Sequence, residues 1–277
     1  MPRPAPPAGG WDCHTHVFDR ATPVRPGHYQ PAHHPLREIE GLAARHGVAQ
    51  LVLVQPSVYG NDNAVMLRAL EAGQGRHRGV AVIDPAIGDS ELERLHAAGV
   101  RGVRFNLVSP ASPPGDALAD LQALAPRLRA LGWHVQWYVP PAALPSLVRW
   151  QVKTGLCFVL DHLAGLSAQL MPEDPAWAAA QALADAGAWI KLSGWYRLGA
   201  NEPYATLRPN IERVTAMFGR RMVWGSDWPH TSFLPGHLPS YESTLFPVRS
   251  ALGEAVLHDV LHLHACSLYF DNHAISP

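Results

Sequence analysis

Cysteine is scarce in this sequence and excess charge is missing altogether. The three cysteines, Cys13, Cys157 and Cys266, lie far apart with no CxxC pair. That spacing suits the reduced thiols of a cytoplasmic protein better than a disulfide framework. Lys and Arg number 22 against 23 Asp and Glu, with no block of either sign. Such a balance argues against a surface that tracks phosphates or binds an anionic membrane, so no nucleic-acid partner is expected. No apolar run approaches the roughly 20 residues that span a bilayer, and no membrane partner is expected either. The opening MPRPAPPAGG has no apolar core of the kind a secretion signal carries, and residues 1–10 read as a flexible Pro/Gly arm. No GxGxxG or Walker A loop follows a β-rich run, which weakens an open nucleotide-binding sheet.

What is present is length, apolar content and a repeating pattern. With 277 residues and 47% hydrophobic content, the chain can bury a large core, and residues 11–277 are expected to form one domain. Eight short β-rich runs alternate with amphipathic stretches: 11–16, 50–55, 79–83, 100–106, 134–139, 157–162, 189–193 and 222–224. Helical periodicity falls at 35–46, 62–72, 90–98, 118–131, 175–186 and 204–218, the third opening on an apparent capping box, Ser90 to Glu93. Eight βα units predict a TIM (β/α)8 barrel, with some distortion allowed, over an open doubly wound sheet.

Polar residues gather at the C-terminal ends of these runs, where a barrel places its active site: His14, His16, Ser57, Arg104, Asn106, Tyr138, His162, Ser193 and Asp227. His14 and His16 are two apart on a strand, so alternation points both inward and turns Cys13 and Thr15 to the other face. Paired imidazoles can hold a metal or polarise a carbonyl; in a chain with 16 histidines, a chance HxH is the plain alternative. Asp227, in VWGSDWPH, is placed to take a proton from water or, more simply, to cap a turn. Alternation turns either Asp161 or His162 inward but not both, and His162 is the choice here. Arg104 has interior parity and needs an anion, either a substrate carboxylate or an internal partner. Lys191 also has interior parity, sits deeper, and pairs most simply with Asp12. Arg197 is a second anion-binding candidate.

The stretches CHTHVF (13–18), VQPSVYGNDN (54–63), GVAVIDPA (79–86), GVRGVRFN (99–106), GWHVQWY (132–138), Asp161-His162 and VWGSDWPH (223–230) run in order along nearly the whole chain. In them the chain resembles the 2-pyrone-4,6-dicarboxylate lactonases of the amidohydrolase superfamily. The resemblance implies that Asp227 is the general base and that His14, His16 and His162 polarise a lactone carbonyl. It also implies that Arg104 and Arg197 hold carboxylate while Tyr29, Ser57 and Tyr138 contact substrate. Two departures stand out: Pro110 occupies the place of a further arginine, and Ala164-Gly165-Leu166 that of an Arg-Pro pair. A small anionic lactone with one essential carboxylate is therefore the expected substrate. A binuclear metal site in this superfamily needs a carboxylate or modified lysine on the fourth strand and a histidine on the fifth, where this chain has Arg104 and Tyr138. No metal is expected to be required; one Zn²⁺ or Mn²⁺ could sit on His14, His16, His162 and Asp227. A metal-dependent decarboxylase, a barrel nuclease and a non-catalytic binding protein are the other classes, and the number of protomers is left open, a homo-oligomer among the options.

Overall fold

Runs rich in Val, Ile, Leu and Trp form strands where both faces can be buried, and this chain has eight of them in the computed structural model, which describes residues 8–26, 28, 30–108, 116–231, 233 and 236–270. They are β1 (Gly10–Thr15), β2 (Val48–Val54), β3 (Arg78–Ala81), β4 (Val100–Asn106), β5 (His134–Tyr138), β6 (Phe158–Leu160), β7 (Trp189–Leu192) and β8 (Met222–Trp224). All pair in parallel, in sequence order. A parallel bridge between Thr15 and Trp228 joins the eighth unit back to the first, so the sheet closes into the expected TIM barrel. Gly225 permits that closure, because a Cβ at this position would lie 2.4 Å from the Cβ of His14.

The outer ring contains all six stretches read from the periodicity and three helices outside them, over 144–154, 241–259 and 265–269. It comprises α1 (Leu36–Ala44), α2 (Ala64–Ala72), α3 (Asp89–Ala97), α4 (Ala117–Ala130), α5 (Leu144–Thr154), α6 (Pro175–Asp185), α7 (Arg208–Phe218), α8 (Tyr241–Asp259) and α9 (Ala265–Tyr269). Asp116 caps α4 by accepting from the amides of Leu118 and Ala119, and Asp174 caps α6 ahead of Pro175. The capping box expected at Ser90 is not formed: α3 starts at Asp89 with Gly88 as its cap, so Ser90 already lies inside the helix. Asp89 and Glu91 still favour that end through the helix dipole. The first strand takes in Gly10, one residue earlier than expected. Among the described residues no helix is long and apolar enough to cross a membrane.

One apolar layer packs the strands against the helices. A second cluster joins Trp11, Val52, Val80, Val159 and Val223 to Tyr269 of α9. Two sequence expectations fail in this interior. Between Asp12 and Thr15, β1 advances three residues while β2 advances two, from Leu51 to Leu53, so a bulge breaks the alternation. Cys13 consequently packs in the second apolar cluster next to the inward-reaching His14, instead of facing away from it. Asp12 is not the partner of Lys191; it accepts from the Tyr241 hydroxyl of α8 and from the amides of His14 and Ser226.

His134 is buried near the floor, edge-on to Tyr269, in space that Gly102 leaves open: a Cβ there would come within 2.6 Å of the His134 ring. Burial, and then the Lys191 charge, pushes His134 down to about 3 from an ordinary 6.5. The folded value lies below the unfolded one, so the unfolded chain binds this proton first as pH falls. The stability contribution is fully present above pH 6.5 and is lost as pH drops toward 3. Replacing the ring in His134→Gln should make the dependence of unfolding free energy on pH shallower between about pH 6 and 4, by up to ~1.4 kcal/mol per pH unit. Urea titrations at fixed ionic strength measure it, and an unchanged slope would mean that the folded protein protonates His134 freely.

Candidate active site

The strand ends meet at one mouth around a cavity of about 300 Å³, whose walls include His16, Ser57, Arg104, Tyr138, Arg197 and Asp227. Six of the expected site residues thus line one cavity. His14 and His162 lie a layer deeper, both buried, with their rings 4.8 Å apart. Tyr29 lies outside the described residues, as does Pro110. A larger groove of about 910 Å³ opens on the barrel flank between α2 and α3, but its lining, which includes Arg68, Glu71 and Arg94, takes nothing from the strand ends beyond β4. The chemistry therefore belongs to the smaller cavity.

Asp227 follows β8 in a left-handed conformation, φ 62°, which a non-glycine residue adopts only at a cost of roughly 1–2 kcal/mol. That turn aims its carboxylate back across the barrel. Oδ2 accepts from the Tyr196 hydroxyl at 2.5 Å and from Arg197 Nε at 2.7 Å. Oδ1 has no hydrogen-bond partner and faces His14 Nε2 at 3.7 Å and His16 Nε2 at 3.6 Å. Burial by itself would raise this carboxyl, but Arg197 and the neighbouring imidazoles outweigh it and hold Asp227 well below the usual carboxylate range. Asp227 is ionised at neutral pH.

His16 Nδ1 lies 2.7 Å from the Val54 carbonyl oxygen, which can only accept, so Nδ1 carries the proton. Its Nε2 can donate only if the ring carries a second proton. His14 is kept well below the usual imidazole range, chiefly by burial and against the pull of Asp161, and is neutral. His162 falls to about 4, again chiefly through burial, with its Nδ1 2.9 Å from Ser193 Oγ. The Tyr138 ring stands edge-on to His162 and lies 5.8 and 5.9 Å from the guanidinium carbons of Arg104 and Arg197. Asn106 Nδ2 donates to Ser57 Oγ at 2.8 Å and fixes that hydroxyl at the cavity wall.

The orphaned Oδ1 of Asp227 and Nε2 of His14, with His16 Nε2 beside them, make an N₂O set that fits one ion, since the spacings suit ligand atoms each about 2 Å from a common centre. The Nδ1 contacts of both rings are of the orienting kind that metal-bound histidines use. Among the described residues, His14, Asp161 and His162 form a second such group.

Three participants escaped the sequence. Alternation allowed only one of Asp161 and His162 to turn inward, yet both do, because β6 ends at Leu160 and His162 adopts φ 50°. Asp161 Oδ2 meets Arg104 Nε at 3.4 Å, so the internal partner considered for Arg104 is present beside its exposure to the cavity. Lys191 pairs with Asp161 at 3.5 Å. Tyr196 sits on a single turn (Trp195–Leu198) after β7, and no periodicity marks such a position. Arg197, expected as an anion holder, has Asp227 as its first partner; burial opposes the charge of Arg197, but that carboxylate prevails and raises its pKa.

Against known proteins, the amidohydrolase family model matches residues 11–270. The chain belongs to that family. It is 35% identical over 251 residues to a 2-pyrone-4,6-dicarboxylate hydrolase of Comamonas testosteroni, covering 84% of this chain and 80% of the relative. To a 4-sulfomuconolactone hydrolase of Rhizobium radiobacter it is 30% identical, over 92% of this chain and 88% of the relative. The structure of a proposed 2-pyrone-4,6-dicarboxylic acid hydrolase from Pseudomonas putida superposes with a TM-score of 0.83 at 31% identity, over 95% of this chain and 97% of the other.

Proposed function

We propose that this protein is a hydrolase that opens a small lactone bearing one carboxylate. The observation that carries the reading is the unpartnered Asp227 Oδ1 beside two imidazole nitrogens, at the wall of a cavity that also presents Arg104. The names of the relatives, lactone hydrolases both, support it. Three widely spaced cysteines with no CxxC pair suit a cytoplasmic setting.

In this reading the substrate carboxylate lies against Arg104 and its ring against Tyr138, with the Ser57 hydroxyl in the same cavity. Water beside Asp227 attacks the lactone carbonyl carbon while Oδ1 takes its proton. The developing oxyanion faces His16, whose Nε2 donates to it once that ring carries a second proton, while His14 and His162 lie in the layer beneath. The ring C–O bond then breaks, and the leaving oxygen recovers the proton from Asp227, which is ready for another cycle. Arg197 makes Asp227 a weak base in the free protein; a substrate carboxylate near the guanidinium loosens that hold and restores basicity. Apart from imidazoles, the buried carboxylates Asp12, Asp161 and Asp227 stand, among the described residues, against three cations, Arg104, Lys191 and Arg197, of which Arg104 and Arg197 line the cavity. A substrate carboxylate finds its counter-charge in those two.

A metal ion, if bound, would sit on His14, His16 and Asp227 with His162 nearby, and would act as a Lewis acid toward the carbonyl. The chain's own groups suffice in our reading, because Arg104 and Arg197 at the cavity would repel a divalent ion there unless a substrate carboxylate lay between them.

The central experiment is a panel of lactones followed by proton release, with CO₂ release and phosphodiester cleavage assayed on the same preparation. Ring opening is expected alone, and Asp227→Asn should lower kcat by at least ~10²-fold. Near wild-type turnover in that variant would move the base elsewhere, and CO₂ release would make the protein a lyase.

Arg104→Met should lower kcat/KM for a monocarboxylate lactone by about 10- to 100-fold, as expected for lost charge-assisted hydrogen bonds, and leave a neutral lactone unaffected. If neutral lactones turned over best in the wild type, the carboxylate would have no part in recognition.

Protein stripped with chelator, with metal confirmed well below stoichiometric, is expected to keep its kcat. Activity that vanished and returned with one equivalent of Zn²⁺ or Mn²⁺ would make the same residues ligands.

A further inference from the structure

Below the cavity lies a cluster that touches no substrate-accessible space. Asp161 and Lys191 are both fully buried. Asp161 Oδ1 stands 3.3 Å from His14 Nδ1 and 3.5 Å from Lys191 Nζ, while Oδ2 accepts from Gln136 Nε2 at 2.9 Å and meets Arg104 Nε at 3.4 Å. Lys191 Nζ donates to the Cys13 carbonyl at 2.8 Å and to Gln136 Oε1 at 2.6 Å, and also lies 3.5 Å from His14 Nδ1. His14 Nδ1 thus faces an acceptor and a donor at once. Which of them wins decides where the ring keeps its proton.

The count of protons settles the contest. Two of the three Lys191 protons are committed to Cys13 and Gln136, leaving one for either Asp161 Oδ1 or His14 Nδ1. If that proton went to His14, Asp161 Oδ1 would face an imidazole lone pair at 3.3 Å with no hydrogen bond at all. A buried carboxylate oxygen without a donor is costly. Of the two carboxylate oxygens that face His14 without a hydrogen bond, Asp161 Oδ1 lies 3.3 Å from Nδ1 and Asp227 Oδ1 lies 3.7 Å from Nε2, so a hydrogen on Nδ1 serves the nearer one, beside the third Lys191 proton at 3.5 Å. Burial opposes the charge on Asp161, but His14, Lys191 and Arg104 hold its carboxyl well below the usual range, so it is an acceptor only.

We infer that Asp161, braced by Lys191 and Gln136, is a positioning residue that fixes His14 as its Nδ1–H tautomer and leaves the Nε2 lone pair opposite Asp227. The consequence for chemistry rests on the hydrolase reading above. Once Asp227 has taken a proton from water, its Oδ1–H finds an acceptor in His14 Nε2, where the other tautomer would oppose it with a second donor. His14 then works as an acceptor beside the base, and the task of facing the oxyanion falls to His16 at the cavity wall.

The test uses ¹⁵N-histidine-labelled protein, as purified and metal-stripped, with His14 signals assigned by their loss in His14→Gln. In the wild type at neutral pH, His14 Nδ1 should show the shift of a protonated nitrogen and Nε2 that of a bare one. Asp161→Asn should move His14 toward the Nε2–H form in the stripped protein and lower kcat about 10- to 100-fold, the usual reach of a residue that orients another group. A protonated Nε2 in the wild type overturns the inference outright, even if Asp161→Asn fails to fold. A folded Asp161→Asn with an unchanged tautomer, or with a changed tautomer and undiminished kcat, overturns it too. If no lactone is turned over, the ring shifts still decide the tautomer, and it is the hydrolase reading that fails.

Discussion

Two backbone hydrogen bonds, from the Asp227 amide to the His14 carbonyl and from the His16 amide to the Trp228 carbonyl, each 2.9 Å long, close the barrel between its last strand and its first. They bind the segment holding the carboxylate to the segment holding the paired imidazoles. Barrel closure and site assembly are therefore one event, and Gly225 is small because the backbone of β1 lies where a side chain would go. The left-handed turn at Asp227 is held by the same seam, which over-determines a conformation that an isolated chain would rarely visit.

From the seam, charge organises the remainder. Buried carboxylates are tolerable only when paired or hydrogen-bonded: Asp12 has the Tyr241 hydroxyl and two amides, while Asp227 has Arg197 and Asp161 has Lys191, with Arg104 shared between Asp161 and the cavity. The pairs lie at different depths. Asp227 is at the cavity wall, so its pairing sets reactivity, whereas Asp161 lies beneath it and its pairing sets orientation. A barrel suits this division because successive layers of inward side chains stack along its axis.

Much of the fold was legible in the order of apolar runs. The β4 and β8 ranges read from the pattern agree with the structure at both ends, and the other strands differ by one or two residues at a boundary. The misreadings of which way a side chain faces share one cause. Period-2 alternation assumes a regular strand, and it failed where the strand was irregular: at the bulge in β1 that reorients Cys13, and past Leu160, where β6 stops and both Asp161 and His162 turn inward. The capping box at Ser90 was a local match that lost to an earlier helix start at Asp89.

The sequence by itself determined the parallel βα repeat, the barrel, and which polar residues stand at the ends of strands, because those depend on local periodicity and on chain order. It brought His14, His16, Arg104, Tyr138 and Asp227 to one mouth without any coordinate. Tertiary structure alone decided who pairs with whom. Lys191 could have met Asp12 or Asp161, and Arg197 could have faced open solvent; partners far apart in sequence are chosen by distances across the barrel that no local pattern encodes. The tautomers follow from those partners, since the proton on a buried imidazole goes where the neighbouring acceptor lies.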